Sequence, residues 1–436
     1  MADLSPPRGS RDFLPQEKLL RDSVVDALRR VFERYGFNPL ETPALENYDV
    51  LASKYAGGAE ILKETYSLKD QGKRKLGLRY DLTVPLARVF AGQKLALPFK
   101  RYQIAGVWRD GPIKAGRYRE FTQCDVDAVG VASPKQEAEL IALANDAFKA
   151  LGLKVFVKVN SRKLLNSLLA YAGVPLEKTI AVILELDKLE KIGSQGVLKE
   201  LDNLIGKNDA KKVLELFTEV EREKSIRILQ GMALNEEGRE GLKELQEFFS
   251  SLESFGVAGD FVLFSPSLAR GLNYYTGIVF EAFLREEEKS GIKSSLAAGG
   301  RYDDMVGCFA GAKEKIPAVG IGFGLDVICE ALKEKSATLG VAQPKTIVKV
   351  LVIAFKNYAY AIRITQEFRA RGIACLIDFE GKGVSKNLVF ANKQGIPFVA
   401  FCGEQEEKAN KIKIRDMQSG REELVSLPGA LAKFSF

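Results

Sequence analysis

Between Arg109 and Asp127 the chain reads Arg-Asp-Gly-Pro-Ile-Lys-Ala-Gly-Arg-Tyr-Arg-Glu-Phe-Thr-Gln-Cys-Asp-Val-Asp. This pattern predicts a strand end, a tight loop and a returning strand, with Pro112 and Gly116 supplying the turn chemistry. A strand sends alternate side chains to opposite faces. One face then carries Tyr118, Glu120, Thr122, Cys124 and Val126, and the other Arg117, Arg119, Phe121, Gln123, Asp125 and Asp127. The second set mixes guanidinium groups, a ring, an amide and carboxylates where a core-facing strand would hold Val and Ile. Two readings stand. The set is the solvated outer face of an antiparallel sheet, or it is the floor of a cleft for something anionic and planar. Arginine suits phosphate because its fork donates two parallel charged hydrogen bonds. A Phe between arginines suits a base ring.

Three other stretches are dense in chemistry-bearing residues. Ser267 to Glu281 holds Arg270-Gly271, then Tyr274 and Tyr275, then an apolar strand; a hairpin with stacked aromatics would look similar. Ala297 to Asp303 (Ala-Ala-Gly-Gly-Arg-Tyr-Asp) has glycines that let backbone approach a ligand closely. Leu78 to Thr83 (Leu-Arg-Tyr-Asp-Leu-Thr) leads into a helix with Pro85 in its first turn, and Thr83 fits the N-cap of that helix.

The chain contains no histidine. That removes imidazole acid–base catalysis, Ser–His and Cys–His nucleophiles and His metal sites. Chemistry must run on arginine, carboxylates, substrate groups or a bound metal. The five cysteines are scattered without paired spacing, as buried reduced thiols of a cytosolic protein would be. Met1 to Lys18 lacks the apolar middle of a signal peptide. No apolar run approaches a membrane span, so a cytoplasmic location without membrane contact is expected. A net charge of +7 over 436 residues permits a nucleic-acid partner without requiring one.

The elements that must hold these residues follow from periodicity. At 436 residues the chain is too long for one core, so two or three domains are expected. Leu20, Val24, Leu28 and Val31 recur at helical spacing over Leu19–Tyr35, and Gly36 closes that helix. Asn38–Glu46 is extended and contains Pro43. Strands flank a polar turn, Asp70 to Lys75, between Tyr66 and Leu82. Phe99–Trp108 is a strand, Ser133–Leu151 a helix, Lys154–Asn160 a strand and Ser161–Ala172 a helix. From Pro175 to Phe255 the pattern is helical, rich in Lys, Glu and Leu. Strands resume at Asp260–Phe264, and Pro317–Leu332 is a Gly-rich strand leading to a helix. After a polar stretch with Gly340 and Pro344, strands and helices alternate from Val348 onward, the mark of a mostly parallel or mixed sheet covered by helices.

Arg109 with Gly-Arg-Tyr-Arg-Glu-Phe-Thr-Gln resembles motif 2 of class II aminoacyl-tRNA synthetases. Arg-Gly-Leu-Asn-Tyr-Tyr-Thr-Gly and Ala-Ala-Gly-Gly-Arg-Tyr-Asp are similar to the two signatures of the histidyl-tRNA synthetase family. The Pro-Arg-Gly opening and the helix, strand and Pro43 of a motif 1 are in keeping with it. The resemblance implies an α+β catalytic domain on an antiparallel sheet with flanking helices. It would be formed by residues 1–174 and 256–335, with a helical insertion at 175–255, a linker at 336–345 and an α/β anticodon-binding domain at 346–436. It implies a homodimer through the motif 1 region, with histidine, ATP and tRNA(His) as partners. Mg2+ would accompany ATP, without a dedicated protein metal site.

The resemblance also implies roles. Arg109 and Arg270 would flank the α-phosphate, where charge builds during attack by the amino-acid carboxylate. Phe121 would stack on adenine and Arg117 would take the outer phosphates. Asp81, Thr83 and Gln123 would hold the α-amino group. Asp127 and Tyr275 would read the imidazole, with Tyr274 and Tyr302 closing the pocket and Arg270 also touching histidine. Acyl transfer to tRNA needs no protein base if the adenylate phosphate accepts the proton. Three positions depart from the pattern: Asp81 where Glu is usual, Arg109-Asp110-Gly111 where Arg-x-Glu is usual, and Val327 where motif 3 carries an arginine. A ligase is one outcome. A non-ligating paralogue, acting as a histidine sensor or a regulatory subunit of histidine biosynthesis, is the other; such subunits generally lack the domain expected at 346–436.

Overall fold

The computed structural model describes residues 4–53, 59–113, 116–217, 227–268, 274–288, 290–309, 311, 315–340, 343–356 and 358–434. The chain divides into two compact units, one of residues 1–11 and 23–339, the other of residues 12–22 and 340–436.

The first unit is built on an eight-stranded sheet in the order β1-β5-β6-β11-β10-β9-β7-β8. The strands are β1 (Asn38–Pro39), β5 (Phe99–Trp108), β6 (Glu120–Val129), β7 (Val155–Ser161), β8 (Val262–Phe264), β9 (Ile278–Leu284), β10 (Ala297–Arg301) and β11 (Ala318–Gly324). From β5 to β7 every neighbour is antiparallel. Only the outermost pairs, β1 with β5 and β7 with β8, are parallel.

One face of the sheet is a hydrophobic layer. Cys124, Val126 and Ala128 of β6 are fully buried, and Phe323 of β11 meets Phe32 and Phe148 at centroid distances of 5.5 and 5.6 Å. Burying such a ring stabilises the fold by about 1.5–3 kcal/mol. The other face carries Phe121, Gln123, Asp125 and Asp127. It is not a solvated outer face: Asp125 and Asp127 are 5% and 3% exposed.

A smaller sheet, β2 (Leu45–Asn47), β4 (Lys75–Leu78) and β3 (Ser67–Lys69), lies in the same unit. The extended segment Asn38–Glu46 is therefore two short strands, β1 and β2, in different sheets. Pro39 and Pro43 bring no N–H to a ladder, which confines pairing to the ends of the segment.

Within 175–255 the helices are Thr179–Leu186, Leu189–Ile205, Lys207–Leu216 and Glu236–Ser254. Leu189–Ile205 bends at Gly193, whose φ of 71° is left-handed. Glu236–Ser254, capped by Asn235, packs tightly on Arg162–Tyr171. A Cβ at Gly241 would stand 2.8 Å from Ser161 Oγ, and Lys163 bonds Glu244 at 2.7 Å. The helix after β11, Leu325–Leu339, runs into the stretch read as a linker from 336; no breaker precedes Gly340.

The second unit holds a five-stranded sheet, β13 (Cys375–Ile377), β12 (Val350–Ala354), β14 (Phe398–Cys402), β15 (Lys411–Asp416) and β16 (Glu422–Ser426), in that order. β12 is parallel to both neighbours, and the β14–β15 and β15–β16 pairs are antiparallel. The helix Tyr358–Ala370 buries Tyr360, Ala361, Ile364, Thr365 and Phe368. Gly395, at φ 70°, ends the helix Val384–Gln394. No helix among the described residues is long and apolar enough to cross a membrane.

Candidate functional site

The polar face of β6 floors a cleft with two connected parts. The inner cavity, of about 250 Å³, is lined by Asp81, Thr83, Arg109, Phe121, Gln123, Asp125, Asp127, Tyr274, Tyr275 and Tyr302 and by the backbones of β10 and β11. The outer cavity, of about 810 Å³, shares Arg109 and Phe121 with it and adds Glu64, Arg117, Tyr118, Asp326 and Val327. Nine of the predicted site residues meet at the inner cavity. Arg117, exposed, stands on the outer one. Arg270 lies outside the described residues.

The depth of the inner cavity comes from β11. Gly320 and Gly322 sit opposite Asp127 and Asp125 in the ladder. A Cβ on Gly320 would stand 2.0 Å from Asp127 Oδ1, and one on Gly322 2.6 Å from Asp125 Oδ1. Both distances are impossible for real atoms, so the glycines are the niches in which the carboxylates lie. On β10, a Cβ at Gly299 would meet the Gly320 carbonyl at 2.0 Å.

Asp127 accepts a 2.5 Å hydrogen bond from the Tyr302 hydroxyl, so Tyr302 lies beneath the site rather than over its mouth. The other Asp127 oxygen is 2.7 Å from Arg101 Nη2, close but out of line for a directed hydrogen bond. Arg101, fully buried, donates instead to the Leu82 carbonyl at 3.0 Å. Burial pushes the Asp127 carboxyl up, and Arg101 and Tyr302 pull it down. Burial raises Asp125 to about 8, against the pull of Arg101. The Oε1 of Gln123 and the Oδ1 of Asp125 are buried and make no hydrogen bond among the described residues. The inner cavity is thus a set of waiting acceptors, suited to a ligand rich in N–H groups.

Asp81 occupies the loop before the helix Thr83–Gly92. Its Oδ1 accepts from Val84 N at 3.1 Å, so Asp81, not Thr83, caps that helix by its side chain, and Thr83 is the first helical residue. Burial raises Asp81 to about 6 despite that hydrogen bond and the nearby Arg109 and Arg101. Tyr274 packs on Tyr275 at 4.6 Å and meets Tyr302 edge-on at 6.2 Å.

Arg109 stands where the two cavities join. Its Nε donates to the Tyr80 carbonyl at 2.9 Å, and its guanidinium carbon lies 5.2 Å from the centre of the Phe121 ring. Arg119, in the bend just before β6, is held by Asp110 at 3.0 Å and by the Gly111 carbonyl at 3.3 Å. The departure at Gly111 has a structural counterpart. A Cβ there would meet Glu64 Oε1 at 2.8 Å, so the carboxylate of Glu64 occupies the space a side chain at 111 would take. In the first turn of the helix Leu325–Leu339, Val327 forms part of the outer wall. Beside it Asp326 accepts from Thr122 N at 3.0 Å and from Arg11 at 3.1 Å, and Arg11 lies over the Tyr118 ring at 4.2 Å. Among the described residues no group of three or more His, Cys, Asp or Glu side chains could hold a metal ion.

The sequence reading missed Arg101, Glu64 and the niche role of Gly320 and Gly322. Only the glycine spacing was visible in advance, and it does not say which carboxylates it faces.

The family model "Histidyl-tRNA synthetase" matches residues 9–328, and "Anticodon binding domain" matches 348–435. Histidine–tRNA ligase 1 of Bacillus cereus is 42% identical over 425 residues, covering 97% of each chain. The crystal structure of a histidyl-tRNA synthetase from Nostoc sp. superposes with a TM-score of 0.85 at 31% identity, covering 99% of this chain and 100% of that one. A structure described as an ATP phosphoribosyltransferase regulatory subunit/histidyl-tRNA synthetase, from Bacillus halodurans, shares the fold at a TM-score of 0.76 and 24% identity, covering 92% of this chain and 98% of that one. By the extent of these matches and the identity to its relatives, the chain belongs to the histidyl-tRNA synthetase family.

Proposed function

We propose that the chain is a histidine–tRNA ligase. It joins histidine to ATP as histidyl-adenylate, releasing diphosphate, and then passes the histidyl group to the 3′ end of tRNA(His), releasing AMP. The observation that carries this reading is the position of Arg109: a guanidinium at the neck between an acceptor-lined inner cavity and a wider outer one. An amino acid in the inner part presents its carboxylate to a nucleotide phosphate in the outer part.

Asp81, Thr83 and Gln123 take the α-ammonium group. Asp127, fixed by Tyr302 and Arg101, takes an imidazole N–H, and Tyr275 takes the other ring nitrogen. Phe121 carries the adenine, Arg117 the outer phosphates, and Arg109 with Arg270 neutralises charge that builds on the α-phosphate. Fixed donors of this kind typically lower a barrier by about 3–4 kcal/mol each. Mg2+ would be carried by ATP itself, whose phosphate oxygens are the hard ligands it prefers, and would neutralise phosphate charge. The second unit binds the tRNA anticodon region, and the motif 1 region, the first helix with the extended segment Asn38–Glu46, pairs two copies as a dimer. The enzyme works in the cytoplasm.

Histidine-dependent exchange of labelled diphosphate into ATP, followed by charging of tRNA(His), tests the reading. Both activities are expected, and Arg109→Ala removes both. Histidine binding without exchange would favour a sensor, the outcome that Val327 invites. The match to an anticodon-binding domain over 348–435 speaks for the ligase.

A further inference from the structure

One buried group is left over once these roles are given out. Asp125 projects from β6 on the same face as Gln123 and Asp127, with about 6.7 Å along the strand between alternate residues. It is 5% exposed, lines the inner cavity, and its Oδ1 makes no hydrogen bond among the described residues. Gly322, opposite on β11, leaves the space it fills. An unsatisfied buried acceptor costs about 1–3 kcal/mol, more if charged, and folded proteins keep few. The fold does not need this one, because the apolar layer on the other side of β6 is closed by Cys124 and Val126.

The charged groups facing Asp125 are Arg101 of β5, its strand neighbour Asp127, Asp81 at the mouth of its helix, and Arg109. Arg101 pairs with Asp127 and donates to the Leu82 carbonyl through Nη2, and its Nε and Nη1 reach no acceptor among the described residues, Asp125 included. Arg109 is anchored on the Tyr80 carbonyl. Neither arginine donates to Asp125 Oδ1, so its donor is left to whatever occupies the cavity.

We propose that Asp125 is a specificity-determining residue that accepts a hydrogen bond from an N–H group of the bound amino acid and makes the pocket demand a cationic, donor-rich ligand. The inference rests on the inner cavity being the histidine site. A buried carboxyl with a raised pKa holds its proton in the empty site near neutrality. A ligand N–H that bonds the ionised form displaces that proton. Histidine affinity therefore rises with pH through neutrality and levels off above about pH 8, where the carboxyl is already ionised. Between pH 7 and 8.5 a rise in affinity belongs to Asp125: free imidazole titrates near 6.5 and Asp81 near 6, and the ligand's α-ammonium, which starts to lose its proton at the alkaline end, would lower the affinity rather than raise it.

The test is calorimetric titration of the full-length protein with histidine and with histidinol, which keeps both nitrogen-bearing groups and lacks the carboxylate. Asp125→Asn, equal in size, is expected to weaken both ligands at least tenfold, to flatten the pH dependence, and to leave the KM for ATP in diphosphate exchange within twofold. Binding within twofold of wild type and an unchanged pH profile would overturn the inference while leaving the site reading intact. A flat profile from pH 7 to 8.5 in the wild-type protein would overturn it whether or not the variant folds. Failure of the wild-type protein to bind histidine at all would overturn the site reading and this inference together.

Discussion

Two arginines are buried against carboxylates on the central sheet, and they are finished in opposite ways. Arg301, on β10, has every nitrogen engaged. Nε and Nη2 grip the two oxygens of Glu137 at 2.6 Å each, and Nη1 reaches the Val131 carbonyl at 2.9 Å and Asp303 at 3.2 Å. Arg101, on β5, has one nitrogen bonded, while its Nε and Nη1 make no hydrogen bond among the described residues. Its carboxylate partner is only partly satisfied, and the next one along the strand keeps a bare oxygen. Taking charge out of water costs several kcal/mol per ion, offset only by complete pairing. The Arg301 cluster is paired and serves the fold. Around Arg101 the pairing is left open on the side of a cavity, which is what a binding site requires of its walls.

Three measurements test whether the two clusters differ in this way. Glu137→Ala strands the Arg301 guanidinium and should cost the most, about 3–5 kcal/mol in urea unfolding; histidine binding by the protein that remains folded should change little. A large loss of affinity with little loss of stability would erase the distinction. Gly320→Ala should act the other way. Its methyl group must displace Asp127, so diphosphate exchange should fall about 100-fold, equivalent to about 2.7 kcal/mol, with a smaller change in unfolding free energy.

The third measurement follows the pH. Asp125 is raised from the ordinary 3.8 to about 8 in the folded chain, so the native state holds a proton that the unfolded state releases. The associated stability is full below about pH 4 and is lost as pH rises through 8. Asp125→Asn has no such proton to lose. It should be more stable than wild type at pH 8.5 by at least about 1 kcal/mol, with the gap closing towards pH 4. Equal stability at both pH values would mean that Asp125 is not held as an isolated buried carboxyl.

Much of this architecture was readable because it is local. Alternation along Phe121 to Asp127 put Phe121, Gln123, Asp125 and Asp127 on one face of β6, and the strand expected at Phe99–Trp108 has the same bounds as β5. The helical face of Leu20, Val24, Leu28 and Val31 is the buried one. What could not be read depends on partners far away in the chain. Asp127 and Gly320 are cross-strand neighbours, Glu64 fills the space beside Gly111, and nothing local in Arg101 and Arg301 tells the open cluster from the closed one. The cap on the helix Thr83–Gly92 was misjudged for a subtler reason. Both Asp81 and Thr83 carry an acceptor, and only the backbone path decides which one reaches Val84 N.

The glycines of β11 also set a limit on redesign. A wall already trimmed to bare backbone has nothing further to remove, so a bulkier amino acid cannot be admitted by the usual large-to-small exchange on that side. Room would have to come from β6, by surrendering the carboxylates of the cavity floor. Conversely, a single added methyl shuts the chamber, so positions 320 and 127 should drift together across descendants or stay fixed together.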